Sequence, residues 1–232
     1  MSPSTRAALL LVSCIGVTAC AGMPMRSAGS ADPASAGASV DNGDGAASPT
    51  VATPAPRVDA ETEIPVRKQR LQATELAMDA SALGYFMDVQ HARLRQVGGK
   101  QLELEREGDR FVLSLPGPLN FEVGSAQLSE NGQQALEQVA EILAEFRSSL
   151  IAVHGHTDDT GSADGNLRLS RQRALSVANL LQRAGVEVQR IVVIGHGAAR
   201  PLTPNIDEAS RERNRRVELV IEPLVKAGAK AG

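Results

Sequence analysis

The stretch LIAVHGHTDDTGSADGNLRLSRQRALSVANLLQRAGVEVQRIVVI, residues 150–194, decides the fold. It opens on Leu150-Ile151-Ala152-Val153, the short apolar run of a buried strand. A polar, glycine-bearing loop follows. Residues 164–184 then place apolar side chains at helical spacing until Gly185 closes the helix. Ile191-Val192-Val193-Ile194 is a second buried strand.

The same alternation continues on both sides. Upstream, Leu102-Glu103-Leu104-Glu105 and Phe111, Leu113 and Leu115 alternate around Glu107-Gly108-Asp109, which predicts a β-hairpin. Ser129 is placed to cap a helix with apolar positions Leu136, Val139, Ile142, Leu143 and Phe146. Downstream, Val217, Leu219 and Ile221 alternate in a last strand. Together these elements predict an α/β fold: a small two-layer sandwich of a mixed sheet with helices packed on it, spanning residues 100–225. Residues 226–232 read as a disordered tail.

Before this domain, Leu76, Leu83, Met87, Leu94 and Val97 recur at spacings of three, four or seven, and Gly98-Gly99 ends the pattern. Residues 63–99 therefore read as a helical segment. Its apolar stripe, between 66 and 97, serves either packing or a protein partner, including self-association. Residues 20–62 are rich in Ala, Gly, Ser and Pro, hold few large apolar side chains and show no periodicity. Such a segment reads as a flexible linker, able to reach on the order of 130 Å at about 3.1 Å per residue when fully stretched.

The N-terminus has the layout of a secretory signal over residues 1–19: Arg6, an apolar run from Ala7 to Val17, then Thr18 and Ala19. Val17-Thr18-Ala19-Cys20 resembles the bacterial lipobox, in which the cysteine is diacylated and becomes the mature N-terminus. Leu11-Val12-Ser13-Cys14 also fits, but cleavage there leaves a very short apolar run, so Cys20 is the expected lipidation site. Ala21 after it resembles lipoproteins sent to the outer membrane, lipid-anchored on the periplasmic face. Several acyl chains on one cysteine hold a protein where a single chain binds only marginally.

The totals exclude some classes of function. The chain has 232 residues and a net charge of -3, without the basic field that nucleic acid requires. It has no Trp and one Tyr, so no stacking platform for bases or sugars is visible. Its two cysteines, Cys14 and Cys20, precede the folded part, which leaves no disulfide or thiolate metal site there. No apolar run is long enough to span a bilayer as a mature helix. No nucleophile–base–acid arrangement is readable, and no cofactor is called for. His154-Gly155-His156-Thr157-Asp158 is similar to the HxHxDH signature of zinc hydrolases, but Asp159 stands where that signature has His, and only His196 remains downstream. His91 reads as solvated.

One anomaly points to a binding site. Wound at 100° per residue, the helix at 164–184 gathers Leu169, Val177, Leu180, Leu181 and Ala184 on one face, with Arg173 and Asn166 among them. A core-facing guanidinium costs several kcal/mol unless paired. The nearest anions in sequence are Asp158 and Asp159. Either the pair locks loop to helix, or a zwitterionic ligand splits it, placing its carboxylate on Arg173 and its ammonium on Asp158. The residues alone leave these two readings level. Arg211, Arg213, Arg215 and Arg216 form a basic cluster, which reads as a solvated loop paired with Glu208 and Glu212.

Gly155-His156-Thr157-Asp158, Gly161, Asn166, Leu169-Ser170, Arg173-Ala174, Gly195-His196-Gly197, Pro201 and Asn214-Arg215-Arg216-Val217-Glu218 stand in the order of the OmpA-like C-terminal domain, and residues 111–222 resemble it. Peptidoglycan-associated lipoprotein shares this domain. More weakly, Gly84 to Asp88, Leu94-Arg95 and Pro116-Gly117 resemble small OmpA-like lipoproteins. The resemblance implies non-covalent binding of peptidoglycan through meso-diaminopimelate of the stem peptide, which would tether the outer membrane to the wall. It assigns ligand contact to Asp158 and Arg173, with Thr160 and Asn166 lining the pocket. Phe121, Gly155, Thr157, Gly161, Asn214, Arg215 and Arg216 take supporting roles. The family usually has Asp or Asn near Gly124. The alternative is a signalling or envelope-assembly lipoprotein that uses wall binding to position a protein partner.

Overall fold

The computed structural model describes residues 54, 56–98, 102–122 and 124–228. The expected signal peptide, Cys14, Cys20 and most of the expected linker lie outside the described residues. The sheet has five strands: β1 Glu103–Glu107, β2 Arg110–Pro116, β3 Ser149–Gly155, β4 Ile191–Gly195 and β5 Arg216–Pro223. Their order is β1-β2-β5-β3-β4. β5 runs antiparallel to β2 and β3, while β3 and β4 are parallel. This is the mixed α/β sheet expected. The helices are α1 Glu63–Gln72, α2 Leu83–Gly98, α3 Gly117–Asn120, α4 Glu130–Glu145, α5 Ala163–Arg183 and α6 Glu208–Asn214.

Local chemistry sets the ends of the two long helices on the sheet. Ser129 Oγ accepts from Gly132 N at 3.1 Å, and Ser162 Oγ accepts from Gly165 N at 3.1 Å. Each satisfies an N–H that the first turn would otherwise leave open. Alternation along the strands then builds the core. Phe111, Leu113, Leu115, Ile151, Val153, Val217, Leu219 and Ile221 meet Leu136, Val139 and Leu143 of α4 and Val177 and Leu181 of α5.

A second polar anchor fixes the far end of α4. Arg190 is fully buried, and its guanidinium donates to the carbonyls of Leu143, Ser149 and Phe146 at 2.9, 2.8 and 3.0 Å. It also donates to Ser149 Oγ at 2.9 Å. Burial pushes its pKa down to about 10, which leaves it charged at neutral pH. The cation sits where the open carbonyls and negative dipole end of α4 favour it.

The sheet's other face departs from the expected outline. The helical segment is not continuous: α1 ends at Gln72 and α2 starts at Leu83. Between them Met78 N donates to Leu224 O at 2.8 Å, and Lys226 N donates to Met78 O at 3.0 Å. Those bonds require extended backbone. They also hold Lys226, which belongs to the chain's expected tail.

Leu71, Leu76 and Ala77 pack on Leu150, Ala152, Val192, Ile194 and Leu224. α1 and its flanks thus add a partial third layer. Val58 pairs in parallel with Val193, and Asp59 N donates to Val193 O at 2.6 Å. Residues 58–62 are therefore structured edge rather than linker.

The stripe of α2 is spent inside the core. Met87 and Leu94 are buried, with Leu83 and Val97 packed against the same cluster, and α2 lies along α4. Packing, not a free partner surface, is what that stripe does. His91 is half-buried and stacks on Phe111 with ring centroids 5.5 Å apart, so it is not the solvated residue expected. The basic cluster at 211–216 is likewise not a solvated loop. Asp207 caps α6, its Oδ1 accepting from Ser210 N at 2.7 Å.

Candidate functional site

A cavity of about 520 Å³ opens beyond the C-terminal end of β3, on the side of the sheet where open α/β folds bind ligands. Asp158, Thr160, Asn166, Arg173, Phe121, Thr157 and Arg215 all line it. Two glycines permit the approach of the surrounding elements. A Cβ on Gly155 would lie 2.0 Å from the Ser170 carbonyl oxygen, so only glycine lets β3 pass this close to α5. Gly161 turns the loop at φ 88°, in the left-handed region.

Asp158 is buried and Asp159 is exposed, so the loop offers one carboxylate to the cavity. Thr160 orients that carboxylate: its backbone N donates to Asp158 Oδ1 at 3.0 Å, and its hydroxyl donates to the same oxygen. Asp158 Oδ2 accepts from Arg215 Nη1 at 2.7 Å. Burial pushes the Asp158 carboxyl up, but hydrogen bonds from Thr160 and Arg215 outweigh it and hold the group below the ordinary carboxylate value. Asn166 Nδ2 donates to the carbonyls of Asp158 and Thr160 at 3.2 and 2.9 Å. It staples the loop to α5, so its amide donors face the protein.

Arg173 is 5% exposed, as its place on the apolar face predicts. It is not paired with Asp158. Its Nε donates to Ser125 O at 2.9 Å, and its guanidinium carbon lies 5.3 Å from the centre of the Phe121 ring. Among the described residues, no carboxylate comes within salt-bridge distance of it. Burial lowers its pKa, the neighbouring Arg215 charge lowers it further, and Asp158 partly offsets both. The site therefore holds a desolvated cation with free donors beside an anion already engaged.

The other supporting residues divide. Asn214 Oδ1 accepts from Leu202 N and Thr203 N at 2.8 and 3.1 Å, tying down the loop before α6. Arg215 enters the site. Arg216 does not: β5 turns it to the opposite face, where its Nε meets Glu218 Oε1 at 2.6 Å. His154 and His156 also face that side and do not converge with Asp158. His154 Nδ1 and His196 Nε2 are 2.9 Å apart, with the rings stacked.

The opposite face has a larger cavity, about 630 Å³, lined by these histidines. Each of its three arginines has a carboxylate partner, in the pairs Arg216–Glu218, Arg200–Glu61 and Arg110–Glu107. Among the described residues lining it, no arginine lacks a carboxylate as Arg173 does.

The sequence pairs Glu208 and Glu212 with the basic cluster but does not place them at the site; both reach the cavity rim from α6. Arg215 Nη2 donates to Glu208 Oε1 at 2.7 Å and lies 3.9 Å from Glu212 Oε1. Asp207 as a cap, with acidic and basic residues three and four apart after it, was the available signal for that helix. Gly124 has φ 65°, a backbone region that Asn and Asp also tolerate, which accounts physically for the exchange with the residues usual there.

Comparison with known proteins finds likenesses over this part of the chain. Residues 120–215 match the OmpA family. The chain is 41% identical over 143 residues to probable lipoprotein YiaD of Escherichia coli K12, covering 61% of this chain and 65% of that protein. It is 36% identical over 102 residues to the peptidoglycan-associated lipoprotein of Legionella pneumophila, covering 44% of this chain and 58% of that protein. The match thus spans less than two thirds of either curated relative. Among solved structures, a putative MotB-like protein from Desulfovibrio vulgaris superposes with a TM-score of 0.56 at 25% identity, covering 62% of this chain and 96% of that one.

Proposed function

From the match of residues 120–215 to the OmpA family and the geometry of the cavity, we propose that the chain binds peptidoglycan non-covalently and tethers the outer membrane to the wall. The ligand group is the free amino-acid end of meso-diaminopimelate in uncrosslinked stem peptide. Its carboxylate pairs with Arg173 and its ammonium with Asp158. The observation that carries this reading is the buried Arg173 guanidinium, without a carboxylate partner among the described residues, in the same cavity as Asp158. A planar guanidinium takes a carboxylate in a two-pronged fit, and burial of the guanidinium strengthens the pair. The start of α5 adds backbone N–H groups and the positive end of a helix dipole nearby.

The names of the relatives agree with this reading, one of them being a peptidoglycan-associated lipoprotein. In the same reading Cys20 carries the lipid that holds the chain on the periplasmic face of the outer membrane, and the segment before residue 58 spans the gap to the wall. The chemistry is binding rather than catalysis.

The test is retention of the purified protein by isolated sacculi, in competition with two synthetic stem tripeptides. The tripeptide containing diaminopimelate should displace the protein. The same tripeptide with lysine in its place keeps the ammonium but lacks the carboxylate, and should compete poorly. Equal competition by both would remove diaminopimelate from the account.

A further inference from the structure

Among the described residues, Arg215 and Asp158 form the one ion pair inside the cavity whose anion is itself buried: the Asp158 side chain is 6% exposed and that of Arg215 24%. A carboxylate has about four acceptor positions. Thr160 fills two of them on Oδ1, and Arg215 Nη1 takes one on Oδ2. An incoming ammonium therefore meets a carboxylate whose charge is already answered.

Arg215 is held from both sides. Its other terminal nitrogen, Nη2, is bonded to Glu208 at 2.7 Å, with Glu212 at 3.9 Å. Those two carboxylates stand on exposed α6, at the rim, where an arginine withdrawn from Asp158 keeps two counter-ions. Asp158 in turn keeps its two Thr160 bonds.

We propose that Arg215 is an internal stand-in for the ligand's ammonium. It sits on Asp158 in the free protein and withdraws onto Glu208 and Glu212 when a zwitterionic ligand binds. This rests on the diaminopimelate reading and adds the site's selectivity to it. A lone carboxylate gains Arg173 but leaves Arg215 where it is. A ligand that carries both charges, at the right separation, engages Arg173 and also replaces Arg215. Arg215 meanwhile keeps Asp158 from neutralising Arg173, so the anion-binding pole stays open while the site is empty. Both effects follow from one side chain, because Asp158 serves one cation at a time.

The test is titration calorimetry of the full-length protein and its Arg215→Gln variant with two probes. These are the diaminopimelate stem tripeptide and N-acetyl-D-alanine, a carboxylate with no ammonium. Arg215→Gln should tighten the tripeptide about tenfold, the scale on which one charge-assisted hydrogen bond acts. The same change should weaken N-acetyl-D-alanine severalfold, since the freed Asp158 then answers Arg173. Glu208→Gln, which removes part of the alternative berth, should weaken the tripeptide about two- to threefold, as befits an exposed pair. Melting temperatures of the three proteins verify that each is folded. If the wild type binds the tripeptide and Arg215→Gln binds it equally or less well, the stand-in role is wrong and the wall reading survives. If neither protein binds the tripeptide, the diaminopimelate reading falls and the stand-in role with it.

Discussion

Arg215 Nη1 lies 2.7 Å from Asp158 Oδ2, in the relation to that carboxylate that the sequence suggested for Arg173. The consequence is an asymmetric site. Its anion is neutralised in place, while its buried cation is not. A guanidinium only 5% exposed and without a carboxylate weakens the free fold, and the ligand that answers it recovers that energy as affinity. The Arg–Asp lock between loop and α5, one of the two readings the residues allowed, is not the arrangement observed.

Gly155→Ala should be severely destabilising. The added carbon would meet Ser170 O at 2.0 Å, and that atom is helix backbone that cannot swing aside. Overpacking of this kind costs about 1–3 kcal/mol and sometimes more. Thermal denaturation checks it; a shift of less than a degree would mean that β3 and α5 separate more easily than their contact indicates.

Arg190→Leu should cost about 3 kcal/mol or more, because it strands the buried carbonyls of Leu143, Phe146 and Ser149. Urea unfolding should show a lower midpoint with an unchanged slope. Sacculus binding by the folded fraction should be retained, since Arg190 lies away from the cavity.

Stability should fall on acidification. Burial first, then the neighbouring imidazole charges, push His154 and His196 from 6.5 down to about 4. Glu61, Glu218, Arg200 and Arg216 surround them. A depressed histidine binds its proton more readily in the unfolded chain, so its contribution is complete above about pH 6.5 and is lost as pH falls toward 4. Glu218, held at about 2 against an ordinary 4.5, adds a loss of the same sign at lower pH. The melting temperature should be flat above pH 7 and decline between 6.5 and 4. His196→Asn should flatten that decline; an unchanged slope would locate the titration elsewhere.

Cys20→Ser should abolish lipidation and release the protein from membranes, whereas Cys14→Ser should leave it attached. Palmitate labelling with membrane fractionation reads both. The reverse result would move the mature start to Cys14.

The sequence made the sheet and its main helices legible because their patterns are local. Apolar periodicity, Ser129 and Gly185 are each read without knowledge of the fold. It also exposed Arg173, since a charge on an apolar face is anomalous wherever it occurs. Three features depended on contacts far along the chain. The Arg215–Asp158 pair joins residues 57 apart in sequence. The cover of the second sheet face brings Met78 to Leu224 and Val225. The burial of Arg190 depends on the end of α4, whose Leu143 carbonyl it meets from 47 residues away. Arg216 shows the converse: it neighbours Arg215 in sequence, and strand alternation sends it to the other side of the sheet.

The most direct measurement of the central claim is sacculus pull-down of Arg173→Ala and Asp158→Ala beside their melting temperatures. Each substitution should weaken retention by roughly thirty-fold or more, from the about 2–5 kcal/mol that removal of one partner of a desolvated charge pair costs. Melting temperatures should stay within a few degrees of wild type. Arg173 has no protein carboxylate to strand, and Arg215 keeps Glu208 when Asp158 is gone. Arg173→Lys, which retains charge without the planar fork, should recover little. If both alanine variants bind sacculi as the wild type does, Asp158 and Arg173 do not hold the wall, and the account is wrong at its centre.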